Sequence, residues 1–107
     1  MSGFTLHDLE QRVKERAGAS PEVSYTRKLL DRGVGQCAKK FGEEAIETVI
    51  AAVGENRERL IAETADLFYH VLVMLAARGV TLAEVEEALE RRTSESGLDE
   101  KASRKPV

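Results

Sequence analysis

The chain has 107 residues, a formal net charge of −3 and one cysteine. This length predicts a single domain, and an acidic balance without a long basic block argues against nucleic acid as a partner. The first ten residues lack the basic start and apolar run of a signal peptide. The longest apolar run, residues 67–77, is about half as long as a membrane span requires. We therefore expect a cytoplasmic protein that does not enter a membrane, and the lone Cys37 fits a reducing compartment.

Helix formers and capping signals predict an all-α fold. Capping-box patterns at residues 5–8 and 81–84 open the first and last helices. Gly54 ends the third helix, and Asn56 can cap the fourth. The predicted helices cover residues 6–16, a short segment after Ser24 that ends near 33, and residues 34–53, 57–78 and 82–92. The expected fold is a bundle of about five helices with a long antiparallel central hairpin. Residues 1–94 form the domain, and residues 95–107 form a charged, flexible tail.

The fourth predicted helix indicates how the protein assembles. Between Leu67 and Ala77 it is apolar on almost every side. A helix that is hydrophobic all round is buried all round, and a bundle this small covers only part of one helix. The pattern therefore predicts a homodimer that forms through the fourth helix. A monomer in which this helix is central is the alternative.

Two acidic motifs flank the predicted turn. Glu47 and Glu63 each lie eight residues from residue 55, and Glu44 and Asp66 each lie eleven residues from it. An antiparallel hairpin would place these four carboxylates at two matching levels. Four carboxylates repel one another unless a cation lies between them. Oxygen ligands without Cys or His favour Mg²⁺, with Mn²⁺ as the other possibility.

Other polar side chains share the acidic face of these helices. Glu43 is a candidate for a further ligand or for the base that activates a water. Lys40 lies within the same arc and could neutralise phosphate charge, and His70 lies at the same distance from the turn. We assign His70 a structural or substrate-contacting role. Further candidates for the cationic role are Lys39, Arg27 and Lys28.

An apolar stripe lies next to the acids on the third helix. Its members are Ile46, Val49, Ile50 and Val53. The acids are therefore expected to border the core instead of facing open water. A divalent cation held there could withdraw charge from phosphate and orient a water, which predicts phosphoryl or nucleotidyl transfer chemistry. A solvated acidic face is the ordinary alternative for a glutamate-rich helix, but two motifs equidistant from one turn favour the metal site.

Three segments resemble the phosphoribosyl-ATP pyrophosphohydrolase family, which belongs to the all-α MazG-like superfamily of nucleoside triphosphate pyrophosphatases. The segments are Ser24-Tyr25-Thr26-x-x-Leu29-Leu30, Lys39-Lys40-x-Gly42-Glu43-Glu44-Ala45-x-Glu47 and Glu63-x-x-Asp66-Leu67-x-Tyr69-His70-x-Leu72-Val73. The resemblance covers about residues 4–92. The acidic pattern is shared across the superfamily, whereas the first segment and the Tyr69-His70 pair are specific to the family. The chain departs from the family pattern at Val23, where a glycine is expected.

The resemblance implies a bundled helical fold, a homodimer with each site near the subunit boundary, and Mg²⁺-dependent hydrolysis of phosphoribosyl-ATP to phosphoribosyl-AMP and pyrophosphate. That reaction is the second step of histidine biosynthesis. The implied metal ligands are Glu44, Glu47, Glu63 and Asp66. The implied catalytic acids are Glu43, Glu44 and Glu47. The positions expected to bind the nucleotide are Ser24, Tyr25, Thr26 and Lys40, to which we add His70.

Two other functions remain open from the sequence. A pyrophosphatase that removes free or damaged deoxynucleotides would carry the same acids and differ only in its substrate contacts. A non-catalytic helical dimerisation module would bind no Mg²⁺ in the acidic region. Some members of the family are fused to phosphoribosyl-AMP cyclohydrolase, but this chain is too short for that fusion, and one cysteine cannot supply that enzyme's zinc site. We therefore expect the stand-alone form, with transient contact to a separate cyclohydrolase as a possibility.

Overall fold

A computed structural model describes residues 3–94, and all regular elements in that range are α-helices. They are α1 (Leu6–Ala17), α2 (Tyr25–Asp31), α3 (Val34–Gly54), α4 (Arg57–Ala77) and α5 (Leu82–Thr93). The prediction of an all-α bundle of about five helices is confirmed, and the predicted ends differ from the observed ones by two residues or fewer. The tail predicted for residues 95–107 lies outside the described residues.

Polar side chains set the points at which four of the helices begin. At α1, the Thr5 hydroxyl accepts a hydrogen bond from the Asp8 backbone N–H, and the Asp8 carboxylate accepts one from the Thr5 backbone N–H. Thr81 and Glu84 form the same capping box at α5. The side chains that cap α2 and α4 belong to Ser24 and Asn56. Each cap satisfies backbone donors that the first helical turn leaves unpaired.

The hydrophobic core lies where α1, α2, α3 and α4 meet, and the start of α5 closes it. Its buried side chains are Val13, Leu29, Cys37, Leu72, Val73 and Leu82. The Cys37 thiol donates a hydrogen bond of 3.4 Å to the Leu29 carbonyl. Burial raises the pKa of this thiol, and a buried thiol in apolar surroundings is inert. Cys37 is therefore a packing residue.

The central pair, α3 and α4, has 21 residues in each helix and a two-residue connection. Among the described helices, no other pair packs together as extensively. The Thr48 hydroxyl joins the two helices, because it lies 2.8 Å from the carbonyl oxygen of Glu44 in α3 and 3.2 Å from that of Glu63 in α4. Thr48 and Glu63 lie at similar distances from the connection, as a chain that turns back there requires. This packing brings the two acidic motifs together.

The apolar stripe of α3 is exposed. Apart from Val34 at the start of α3, the exposed large apolar side chains of the central pair are Ile46, Val49, Ile50 and Val53 on α3, with Ile61 and Phe68 on α4. Their exposed fractions run from 44% at Phe68 to 86% at Val53. The stripe is therefore not part of the chain's own core, because no element within residues 3–94 covers it, whereas Glu44 and Glu63 are buried and do not face open water. We call these six side chains the α3–α4 apolar face, and exposed apolar surface of this kind marks an interaction site.

The loop between α1 and α2 accommodates a valine where the family pattern has a glycine. Val23 is 82% exposed. Among residues 3–94, positive φ values occur only at glycines, so Val23 needs no left-handed backbone conformation. The departure at this position leaves the loop backbone unstrained.

Judged by length and composition alone, α4 is the one helix in the described range that could cross a membrane. A helix in the core of a soluble protein has the same properties, so this is weak evidence. The middle of α4 also carries Glu63, Asp66 and His70, which are costly in a hydrocarbon environment. We therefore interpret α4 as a helix that packs within protein.

Candidate active site

Three carboxylates from the central helices meet at one place. Glu44 of α3 and Glu63 and Asp66 of α4 each offer an oxygen that lies within 4.8 Å of the other two. Glu44 and Glu63 are buried, with exposed fractions of 9% and 5%, whereas Asp66 is exposed. Like charges at this separation oppose ionisation of one another unless a cation compensates them. These three residues, called the carboxylate cluster below, are three of the four predicted metal ligands.

Two oxygens of the carboxylate cluster are buried and have no hydrogen-bond partner among the described residues. They are Oε2 of Glu44 and Oε2 of Glu63. An unpaired buried polar atom is costly, and in native proteins it commonly marks the place of an ion or ligand. The other oxygen of Glu63 is paired with the Arg59 guanidinium. Carboxylate oxygens without Cys or His are the donors that Mg²⁺ and Mn²⁺ prefer, so the residues present fit a divalent cation.

Glu47 lies beside this cluster, at its solvent edge. Burial raises the pKa of Glu63, the adjacent Glu47 carboxyl raises it further, and the neighbouring Arg59 opposes the shift. The charge of Asp66 adds a smaller upward contribution. Glu47 is exposed and can approach the cluster from outside.

His70 is buried next to the carboxylate cluster. Its Nδ1 atom lies 2.8 Å from the carbonyl oxygen of Asp66. Because a carbonyl only accepts, Nδ1 carries the proton of this hydrogen bond. The Nε2 atom is buried and has no partner among residues 3–94. The ring is perpendicular to that of Tyr69 at a centroid distance of 5.0 Å and lies edge-on to Tyr25 at 6.2 Å. His70 therefore presents one unpaired nitrogen at the junction of the acids and the aromatic rings.

The Ser-Tyr-Thr segment begins α2, and its three side chains do different things. The Ser24 hydroxyl donates to the Arg16 carbonyl at 2.8 Å, which holds the end of α1. The Thr26 hydroxyl is almost fully buried and forms a hydrogen bond with the Tyr69 hydroxyl. Tyr25 is 50% exposed, and its ring stacks on that of Tyr69 with a centroid distance of 6.5 Å. Tyr25 is thus the member of the segment with free surface for a ligand.

Lys40 and Glu43 form an ion pair at the edge of the site. Their charged atoms lie 3.2 Å apart. The hydrogen bond with Glu43 raises the pKa of Lys40, and the neighbouring Tyr25 oxygen and Glu44 add to this effect. Lys40 therefore keeps its positive charge at neutral pH. Lys40 pairs with Glu43, the His70 ring contacts Tyr25 and Tyr69, and Tyr25 is also a neighbour of Lys40.

Three residues of the site had no role assigned from the sequence. Thr48 joins the two helices through the carbonyls of Glu44 and Glu63, Arg59 pairs with Glu63, and Tyr69 bonds Thr26. Arg59 was detectable, because it lies four residues before Glu63 and such a spacing brings opposite charges together on a helix. The Tyr69–Thr26 contact joins positions 43 residues apart, and no local pattern predicts it.

An all-α bundle with a carboxylate cluster between its two longest helices is the architecture of an all-α pyrophosphatase. The sequence model of the phosphoribosyl-ATP pyrophosphohydrolase family matches residues 6–93. The chain therefore belongs to the phosphoribosyl-ATP pyrophosphohydrolase family, and the resemblance inferred from its motifs is confirmed.

Relatives whose names state the family's activity align with this chain over almost the whole length of both proteins. The chain is 66% identical to phosphoribosyl-ATP pyrophosphatase 1 of Bradyrhizobium diazoefficiens, an alignment that covers 98% of this chain and 99% of the relative. It is 63% identical to the protein of the same name from Rhodopseudomonas palustris, with 98% of each chain covered. It is 60% identical to the phosphoribosyl-ATP pyrophosphatase of Nitrobacter hamburgensis, with 97% of each chain covered.

Proposed function

We propose that this protein hydrolyses phosphoribosyl-ATP to phosphoribosyl-AMP and pyrophosphate, the second step of histidine biosynthesis. Family membership and the activity named in its close relatives support the reaction. Within the chain, the observation that carries the proposal is the pair of buried, unpartnered oxygens of Glu44 and Glu63 in the carboxylate cluster. Such a site suits a reaction in which charge on phosphate oxygens must be neutralised.

The proposed cofactor is Mg²⁺, with Mn²⁺ as a substitute of similar donor preference. Glu44, Glu63 and Asp66 would hold it, and Glu47 would complete the set from the solvent edge. When bound, the ion would neutralise polyphosphate charge and lower the pKa of a bound water. The helices α3 and α4 supply the rigidity that keeps the four acids in place, and Arg59 keeps the Glu63 carboxylate oriented through their ion pair.

The catalytic acids in this proposal are Glu43, Glu44 and Glu47. Glu43 lies outside the carboxylate cluster, and its side chain is 46% exposed. It is therefore the acid available either to accept a proton from the attacking water or to act as a further ligand. Lys40 stays protonated beside it, and this cation would neutralise charge on the bound phosphates.

The aromatic side of the site would bind the nucleotide. The exposed ring of Tyr25 offers a stacking surface for a base. The buried Nε2 atom of His70 is available for a hydrogen bond with a polar group of the substrate. Ser24 and Thr26 act mainly by holding this wall in place, because both hydroxyls are already hydrogen-bonded within the protein.

We further propose that the protein is a homodimer in the cytoplasm, without nucleic acid or membrane partners. The α3–α4 apolar face supports the dimer, because its α3 members form an exposed stripe that begins beside the acids and a second copy would cover it. Each site would then lie near the subunit boundary. The product could pass to a separate phosphoribosyl-AMP cyclohydrolase by transient contact.

Pyrophosphate release from phosphoribosyl-ATP tests the reaction, the cofactor and the site together. We expect release by the wild type with Mg²⁺ and none after chelation. Glu47→Gln and Glu63→Gln should each lower kcat by at least about 100-fold, which is the scale of losing a preorganised electrostatic group. Glu90→Gln on α5 is the matched control, since Glu90 is an exposed glutamate away from the carboxylate cluster, and it should retain full activity.

Other results would contradict the proposal in distinguishable ways. Release from ATP or deoxynucleotides but not from phosphoribosyl-ATP would indicate the nucleotide-cleansing pyrophosphatase. If the protein releases pyrophosphate from none of these substrates and binds no Mg²⁺, it is a non-catalytic helical module.

A further inference from the structure

A pocket of about 460 Å³ adjoins the aromatic side of the proposed active site. It is formed by the end of α1, the loop that follows and the start of α2, and α4 contributes Tyr69. The side chains of Arg16, Val23, Ser24 and Tyr25 also line it. Its volume lies within the range of small-molecule pockets, about 300–1,000 Å³. We call this space the Arg16 pocket.

Aromatic residues connect the Arg16 pocket to the carboxylate cluster. Tyr25 and Tyr69 line the pocket, and both rings contact the ring of His70. His70 lies one helical turn after Asp66 and is bonded to the carbonyl of that residue. Tyr25 also lies close enough to Lys40 to influence its protonation. Tyr25 and Tyr69 therefore form a continuous series of contacts from the Arg16 pocket through His70 to Asp66 of the carboxylate cluster.

Among residues 3–94, Arg16 is the only charged side chain that lines this pocket. Within residues 3–94, no hydrogen bond or ion pair occupies its guanidinium. By contrast, the side chain of the neighbouring Arg27 is already hydrogen-bonded, since it donates to Asp31 at 2.9 Å and to the Ala19 carbonyl at 3.1 Å. The Ser24 hydroxyl fixes the backbone of Arg16 by bonding its carbonyl. From the described part of the chain, the pocket thus offers one cation on a fixed backbone and no competing carboxylate.

The proposed substrate has two anionic ends. Its triphosphate belongs at the carboxylate cluster with the cation, whereas the 5′-phosphate of the added ribose lies at the other end of the molecule and is absent from ATP. A guanidinium matches the oxygens of a phosphate with paired hydrogen bonds. We propose that Arg16 binds the 5′-phosphate of the phosphoribosyl group in the Arg16 pocket and so distinguishes phosphoribosyl-ATP from ATP. This assignment rests on the proposed function.

Steady-state kinetics of the wild type and Arg16 variants with two substrates test the assignment of Arg16 to the 5′-phosphate. The second substrate is ribosyl-ATP, which is phosphoribosyl-ATP without the 5′-phosphate. We expect Arg16→Gln to lower kcat/KM for phosphoribosyl-ATP by about 10- to 100-fold, the scale of one charged hydrogen-bonding contact. The loss should lie mainly in KM, because the phosphate is remote from the reacting bond. Ribosyl-ATP should be hydrolysed equally by both proteins, and Arg16→Lys should restore part of the loss because it restores the charge.

Arg12→Gln is the matched control. It removes the same charge from the same helix one turn earlier, where Arg12 lies 4.7 Å from the ring centre of Phe4, and it should leave both substrates unaffected. An equal loss for both substrates in Arg16→Gln, with a lowered melting temperature, would show that Arg16 only completes the end of α1 and would overturn the assignment. No change for either substrate would overturn it as well. If the wild type hydrolyses phosphoribosyl-ATP, either result leaves the proposed function intact, whereas an inactive wild type refutes both.

Discussion

The Glu44 carboxylate is held in place by its helix and not by partners of its own. It is 9% exposed, its Oε2 atom has no hydrogen bond within the described residues, and it shares its site with two other acids. A buried group in this condition opposes folding until something binds it. Functional sites commonly contain buried polar atoms without hydrogen-bond partners, and favourable contacts elsewhere in the fold offset their cost. A cation bound at Glu44 should therefore change the free energy of unfolding as well as the activity.

Glu44→Gln should separate these two effects. In the presence of a chelator, we expect the variant to be as stable as the wild type or more stable, because repulsion within the carboxylate cluster is relieved. Mg²⁺ at about 100 times its Kd should stabilise the wild type by about 2.7 kcal/mol, which is a rise in Tm of roughly 10 °C or more for a domain of this size. The variant should lose that response, and thermal denaturation at several Mg²⁺ concentrations measures it. A Glu44→Gln protein that keeps the full response would rule out Glu44 as a ligand.

Among the elements, α5 depends most on its own first turn. Only Leu82 of this helix is buried, and α5 makes few contacts with the rest of the bundle. The Glu84 carboxylate lies 2.9 Å from the Thr81 backbone nitrogen and 3.1 Å from the Thr81 hydroxyl. These hydrogen bonds lower the pKa of Glu84 below its ordinary value of 4.5. The start of α5 is therefore sensitive to pH.

The sign of this dependence follows from the lowered pKa. The stabilisation is fully present above the unfolded value of 4.5 and is lost as the pH falls through the lower folded value. Glu84→Gln should therefore have a lower Tm than the wild type at neutral pH, and the difference should shrink as the solution is acidified below 4.5. Thermal denaturation over a pH series checks this. Glu90→Gln, at the other end of α5, should have the opposite sign at neutral pH because a negative charge there opposes the helix dipole. A Glu84→Gln deficit that is independent of pH would contradict the capping role.

At the scale of the whole molecule, the described residues 3–94 leave the central helices incompletely covered. The α3–α4 apolar face includes residues that are more than half exposed, among them Ile50 at 53% and Val53 at 86%. Its member Ile46 lies between Glu44 and Glu47 along α3, so we expect a partner that covers this face to approach the carboxylate cluster. Assembly and activity are therefore expected to depend on the same surface.

Ile50→Glu tests the proposed homodimer. We expect a dimeric mass for the wild type in sedimentation or light-scattering measurements. The variant should raise the dimer Kd by at least about 100-fold, because an unpaired carboxylate would be buried at the interface. Leu89→Glu is a matched control, since Leu89 is similarly exposed at 56% but lies on α5, and its mass should match the wild type. A monomeric wild type, or equal masses for all three proteins, would exclude dimerisation through this face.

Local signals in the sequence determined most of the secondary structure. Caps such as Thr5, Asn56 and Thr81 act within one turn of a helix, so five helices could be placed to within two residues of their observed ends. The meeting of Glu44, Glu63 and Asp66 was also predictable, because equal counts from a short turn place residues side by side. The acidic site and the helical class therefore follow from short-range rules.

Only the tertiary structure decided which surfaces are covered and which side chains meet over long sequence distances. A helical wheel shows that Ile50 and Val53 lie on an apolar side of α3, but it cannot show whether another element packs there, and here both side chains are exposed. The contact of Thr26 with Tyr69 and the position of Arg16 in its pocket depend on how α1, α2 and α4 pack. The physical reason is that periodicity and capping reach about one helical turn along the chain, whereas burial and binding pockets arise from contacts among distant segments.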